Sequence, residues 1–200
     1  MTLILALSNP DYAIQISDRQ LTAVGGPVQP GENKTTLLTC LDARLLVGFT
    51  GLARANGFRT ARWLLDALAD AAPPDYFAEG IVKRSVRIAS DTFKTPAIRR
   101  LRPRDRRLSV MFTGFAYWAD PPLQVSALVS NFQDFANSRV GLPTPWEEFQ
   151  PFFLWEKRPP PADQPVATYM QGSALGERCH RQNSIRCGPS CASGVLPARS

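Results

Sequence analysis

At Thr60 the hydrophobic pattern of this chain changes period, and that change constrains the fold more than any other feature. Before it, "LILAL", "YAIQIS", "TTLLTCL" and "RLLVGFTG" are short, β-rich apolar runs. They are separated by turn chemistry such as "SNPD" and the Gly/Pro-dense "AVGGPVQPGENK". The four runs read as one antiparallel meander, and their near-continuous apolarity predicts a sheet covered on both faces. From Thr60 to Ala71, Ala61, Leu64, Leu65 and Leu68 recur at three- and four-residue spacing, which predicts an amphipathic helix ended by Pro73-Pro74. Asp75 is the expected N-cap of a second helix, with Phe77, Ile81, Ile88 and Phe93 on its apolar stripe before Pro96.

The strand period then returns. "RLSVMFTGFAYW" and "LQVSALVSNF" flank the turn "ADPP" as a second hairpin, and "FQPFFLWEK" and "VATYMQGSA" add two further edge strands, their regularity limited by Pro151 and Pro159-Pro160-Pro161. Strands, two helices and more strands define an α+β chain in which two sheets stack and helices cover the outside. Residues 1–174 are expected to form a single domain. Residues 175–200 have no hydrophobic period, are rich in Ser, Arg, Cys and Gly, and read as an irregular or disordered tail.

Composition narrows the class. With 200 residues, 44% hydrophobic and 20% charged, the chain has material for one buried core. No run approaches the roughly 18 apolar residues of a membrane span, and Leu3–Leu7 lacks the basic flank of a secretory signal. A soluble cytoplasmic protein without a membrane partner is the expectation. The net charge of +6 is mostly local, because Arg99, Arg100, Arg102, Arg104, Arg106 and Arg107 lie together, offset by Asp105. A solvated connection accounts for such a run, with an acidic partner or nucleic acid as the alternative. No aromatic residues interleave it for base stacking, which argues against nucleic acid. Three of the four cysteines, Cys179, Cys187 and Cys191, lie near the sole His180, but "CHRQNSIRCGPSC" lacks the paired spacing of a zinc site. Cys40 sits in apolar sequence and reads as a buried, inert thiol. Neither a metal nor another cofactor is expected.

The apolar run begins directly behind Met1-Thr2, whereas most termini are polar. Removal of Met1 would place a free α-amine beside the Thr2 hydroxyl, so that one residue could serve as nucleophile and base. A nearby cation keeps such an amine unprotonated, and a carboxylate holds the cation in place. Asp18, ending the second strand, and Lys34, preceding the third, are candidates for those roles. Backbone N–H groups at Gly51 could stabilise an oxyanion. Taken singly, each residue also has a plain structural role: a start-site threonine, a strand-end turn former, a loop lysine, a strand break.

These landmarks together resemble the β-type subunits of the proteasome and their bacterial relatives, in the N-terminal nucleophile (Ntn) hydrolase superfamily. In that family an acid within an "(A/S)DxRxT"-like segment follows the leading threonine by sixteen positions and a lysine follows it by thirty-two. "SDRQLT" places Asp18 sixteen after Thr2, and Lys34 lies thirty-two after it. "TGLARAN" at Gly51 is similar to the family's strand-to-helix turn, and "QGSA" with Ser173 to a later serine turn that supports the amine. Counting back from Gly51 instead points to Thr35 or Thr36, neither of which supplies a cation. The tail offers no match for the family's aspartate–serine pair.

The resemblance implies a four-layer αββα sandwich and a threonine-type peptidase or amidohydrolase. It also implies a peptide or amide substrate, homo-oligomeric assembly and no cofactor. Its site would comprise Thr2, Asp18, Lys34, Gly51 and Ser173. A non-catalytic scaffold or assembly subunit of the same fold is the alternative function, and a binder of acidic partners or nucleic acid through Arg99–Arg107 is a third.

Overall fold

A computed structural model of the chain describes residues 3–9, 11–18, 33–133, 145–156 and 167–172. Its elements are β1 (Leu3–Ser8), β2 (Ala13–Ser17), β3 (Thr35–Thr39), β4 (Ala43–Gly51), β5 (Arg54–Ala55), β6 (Phe58–Arg59), α1 (Thr60–Ala71), α2 (Ala78–Phe93) and α3 (Pro96–Arg99). A 3-10 turn (Pro103–Arg106) follows, then β7 (Leu108–Ala116), β8 (Leu123–Ser130), β9 (Gln150–Glu156) and β10 (Ala167–Gly172).

The result is a mixed α/β structure built on a five-stranded antiparallel sheet, ordered β3-β4-β7-β8-β9, with a three-stranded sheet ordered β10-β1-β2. Both expected hairpins form: β1 pairs with β2, and β7 with β8. The single meander does not. β2 lies in one sheet and β3 in the other. A local apolar pattern specifies a strand but not its neighbour, which is why the sequence misassigns this pairing. β9 takes the outer edge of the large sheet, where Pro151, which lacks an N–H, is tolerated opposite Val129. β10 reaches back to pair with β1.

Alternation along the strands divides the large sheet into two faces. Leu45, Val47, Phe49, Val110, Phe112, Val125 and Val129 point to one side and pack with Leu64 and Leu68 of α1 and Ile81, Val82 and Phe93 of α2. This is the main core. Phe58, Trp63, Phe93 and Phe149 form a chain of tilted and edge-on aromatic contacts within it. The opposite face meets the three-stranded sheet. There Met111 and Leu128 pack against Ile4 and Ala6, with Phe152 partly covering them.

α1 occupies the predicted range, because its apolar stripe is unbroken until the proline pair. α2 begins later than expected and is not capped by Asp75. The Ala78 N–H donates instead to Asp42 Oδ1 at 2.9 Å, from the β3–β4 turn. Asp75 pairs with Arg84 at 2.6 Å, and Arg84 also donates to the Ala71 and Ala72 carbonyls that end α1. One guanidinium therefore supplies partners for carbonyls a helix end would leave unmatched. Phe77, expected on the α2 stripe, is half-exposed ahead of the helix.

Candidate functional site

The first hairpin and β10 converge at one corner of the small sheet, where Ile4 lies opposite Ser17 and Leu3 opposite Gly172. Asp18 follows Ser17 at that corner. Lys34 precedes β3 in the other sheet, and its Nζ donates to Asp18 Oδ1 at 2.5 Å. One position along each strand, the Ser17 and Thr35 hydroxyls share a hydrogen bond of 3.2 Å. The two sheets are thus joined by a charged and a neutral contact side by side.

The Lys34 side chain is 0% exposed and that of Asp18 37%. A buried ammonium lacking a counter-charge would be strongly destabilising, so Asp18 is what makes the lysine tolerable there. The Lys34 backbone is also held, its carbonyl accepting from the Phe49 N–H at 3.2 Å.

Gly51 stands two residues beyond Phe49 on β4, at the same end of the large sheet. Its φ is +104°, and a Cβ there would come within 2.1 Å of the Arg107 carbonyl oxygen. The Leu52 N–H donates to that carbonyl at 2.7 Å. Close approach of two backbones therefore demands glycine at this position whatever the chemistry nearby. The chain does not enter α1 directly from Gly51 as expected. It first makes the β5–β6 hairpin, whose tip Asn56-Gly57 has positive φ at both residues.

Of the five sequence-derived site residues, Asp18 and Lys34 are in contact and Gly51 lies on the same end of the sheet. Thr2 and Ser173 lie outside the described residues; in the chain they adjoin Leu3 and Gly172, which face each other. Cys179, His180, Cys187 and Cys191 are likewise outside them.

Beside Lys34 is a cavity of about 340 Å³. Lys34, Thr36 and Phe49 line it from the sheet, and Arg59, Arg62 and Leu64 from the start of α1. The sequence reading passed over the two arginines. Their signal is "RTAR", a helix start with cations on both sides of the first turn and no acid within it.

Cys40 is buried and its thiol is pushed up to about 11, chiefly by burial, then by Asp42, with Arg44 opposing. It stays protonated at neutral pH and offers no thiolate nucleophile. In the arginine run, Asp105 accepts from Arg102 at 2.6 Å, and the Arg107 guanidinium lies 5.8 Å from the Phe132 ring centroid. Arg99, Arg100, Arg102 and Arg104 are exposed. Among the described residues no group of three potential metal ligands comes together, and no helix is long and apolar enough to cross a membrane.

Comparison of the chain with protein-family models, curated proteins and solved structures finds no match in any of the three.

Proposed function

We propose that this chain is an N-terminal threonine amidohydrolase, a proteasome-like peptidase of Ntn type, acting through Thr2 after removal of Met1. The observation that carries the reading is the buried Lys34 ammonium on Asp18, beside the end of β1 that Thr2 adjoins. In the reaction the Thr2 hydroxyl attacks the amide carbonyl carbon and passes its proton to its own α-amine. The tetrahedral oxyanion collapses, the C–N bond breaks, and the leaving amine takes that proton. The ester left on Thr2 is hydrolysed by a water that the same α-amine deprotonates. Lys34 disfavours a second positive charge on that amine at rest. Gly51 and Ser173 fill the oxyanion and amine-supporting roles in this scheme.

The corresponding fold is the four-layer αββα sandwich. Its support is the outer face of the small sheet, where Ile14 and Ile16 of β2 are 43% and 55% exposed and suit a covering layer.

Intact-mass measurement combined with labelling by a threonine-directed electrophile tests the reading. A mature Thr2 terminus and one adduct per chain are expected. Thr2→Ala should abolish labelling, and Lys34→Ala should slow peptide hydrolysis about 10²–10⁴-fold. A chain that retains Met1, or a Thr2→Ala variant as active as the parent, would refute it.

A non-catalytic assembly subunit is the second reading. One observation favours it: Leu41, Tyr76, Phe77, Tyr117 and Trp118 are all about half-exposed or more, on loops at the opposite end of the large sheet from Lys34. Aromatic side chains left open in this way suit a protein contact.

A further inference from the structure

The end of the large sheet opposite Lys34 is knitted from three connections. The Leu41 N–H of the β3–β4 turn donates to the Tyr76 carbonyl at 3.1 Å, and the Tyr117 N–H, just after β7, donates to the Asp42 carbonyl at 2.7 Å. Leu41 and Asp42 therefore stand between two exposed aromatic pairs, Tyr76-Phe77 on one side and Tyr117-Trp118 on the other. Each hydrogen-bonded step spans about 5 Å, so the pairs lie roughly 10 Å apart. Pro73, Pro74, Pro121 and Pro122, also exposed, restrict the backbone that carries them.

Tyr76 has a backbone that does not suit its side chain. Its φ is +57°, a region that glycine or asparagine enters readily and a bulky residue rarely does. The fold imposes this conformation, because the Tyr76 N–H donates to the Ala72 carbonyl at 3.0 Å while its own carbonyl is held by Leu41. The ring is half-exposed and belongs to neither buried cluster. A tyrosine kept in a strained position without a packing role points to a contact outside the molecule.

Charge indicates the kind of contact. The chain carries a net +6, yet residues 40–44, 70–79 and 117–122 hold Asp42, Asp70, Asp75, Glu79 and Asp120 against one base, Arg44. The Arg44 guanidinium is held by the Cys40 and Ala43 carbonyls at 2.9 and 3.1 Å. From α2, Arg84 pairs with Asp75 and Lys83 with Glu79. Asp70 and Asp120 are exposed and form no ion pair among the described residues. Tyrosine and tryptophan faces beside such carboxylates attract a guanidinium or ammonium group. A polyproline II segment repeats every three residues, about 9 Å, which matches the spacing of the two aromatic pairs.

We propose that this surface docks a proline-rich, cationic segment of another protein, with prolines on the two aromatic pairs and a basic side chain against Asp70 or Asp120. The proposal does not depend on the amidohydrolase reading, since Lys34 lies at the other end of the sheet. The arginine run of a second copy lacks the required form: Arg99 closes α3 and Arg104 and Arg106 lie in the 3-10 turn, so it is not extended.

The test is fluorescence anisotropy of the full chain with a labelled peptide of two PxxP repeats flanked by arginines. Saturable binding is expected, and versions with the arginines changed to glutamate or the prolines to glycine should each bind at least about tenfold more weakly. Trp118→Ala should weaken binding about tenfold or more. Asp70→Lys/Asp120→Lys, which changes exposed side chains only, should do the same for the arginine peptide and improve the glutamate peptide. Tyr76→Asn should lose binding while its thermal midpoint equals or exceeds that of the parent, which a merely structural tyrosine would not allow. A lowered midpoint in Tyr76→Asn, equal binding of the glutamate peptide, or no saturable binding up to millimolar chain would overturn the proposal. Sedimentation at rising concentration covers the other occupant: a dimer that Trp118→Ala dissolves would assign the surface to a second copy and overturn it as well.

Discussion

The two faces of the five-stranded sheet are built from different materials. Toward the helices every inward position of β7 and β8 is apolar or glycine: Leu108, Val110, Phe112, Gly114 and Ala116, then Leu123, Val125, Ala127 and Val129. Toward the small sheet the same strands bury Ser109, Thr113, Gln124, Ser126 and Ser130 around only Met111 and Leu128. Ser8 of β1 reaches Gln124 at 3.4 Å, and Gln15 of β2 donates to the Met111 carbonyl at 3.4 Å, both long contacts. Among the described residues, Gln15 Oε1, Thr113 Oγ1 and Gln124 Nε2 have no hydrogen-bond partner. The helix side holds the fold together by exclusion of water, whereas the inter-sheet side is a polar, thinly packed seam. The lesson is that the layer carrying the candidate site buries fewer apolar side chains and draws less of its stability from them than the helix side does.

Matched truncations give the largest effect. Leu45 and Leu128 are each 0% exposed, on opposite faces. Leu45→Ala should cost about 4 kcal/mol and Leu128→Ala about 2–3 kcal/mol in denaturant unfolding, since cost follows how poorly a site collapses. Equal values would break the contrast. Next comes spacing. A Cβ at Gly48 would lie 2.6 Å from Gln15 Oε1 and 3.2 Å from Ile4 Cδ1. Gly48→Ala should therefore cost about 1–2 kcal/mol. Most of that should be recovered in a Gly48→Ala/Gln15→Ala double variant, because the obstruction is mainly the end of one flexible side chain.

Thr113→Val should change stability by less than about 1 kcal/mol, in the stabilising direction, because it removes a buried hydroxyl without a partner among the described residues at nearly constant shape. A larger loss would mean that the seam satisfies this hydroxyl after all. The smallest effect lies outside the comparison and calibrates it. The hydrogen bond from Arg84 holds the Asp75 carboxyl below its ordinary range. A carboxyl depressed by folding stabilises at neutral pH, and that contribution is lost as pH falls through its folded value. Asp75→Asn should lower the unfolding midpoint slightly at pH 7 and not at pH 2.

Much of the local structure could be read from the residues. Periodicity located α1 to the residue and found both hairpins, because each is built from one segment or from two that are consecutive in the chain. The "NG" at Asn56-Gly57 was an available hairpin signal that went unread. What local pattern could not carry was partnership at a distance: Asp42 serving α2 across 36 positions, Arg84 closing α1, and β2 and β3 parting into separate sheets. Asp18 and Lys34 follow from what an N-terminal amine needs beside it and from their places at strand ends, and the spacing shared with a known family adds to that, since neither residue stands out in its own segment. The cavity escaped because its lining comes from β3, β4 and α1, which meet only in three dimensions.

The twin contacts at the corner, Ser17 with Thr35 and Asp18 with Lys34, have a mechanical consequence. Sliding one layer over the other by a single residue, roughly 3.3 Å, would part both pairs at once and strand a sealed cation. The corner therefore acts as a latch on the alignment of the two sheets, and whatever chemistry this edge performs inherits its positional accuracy from that latch.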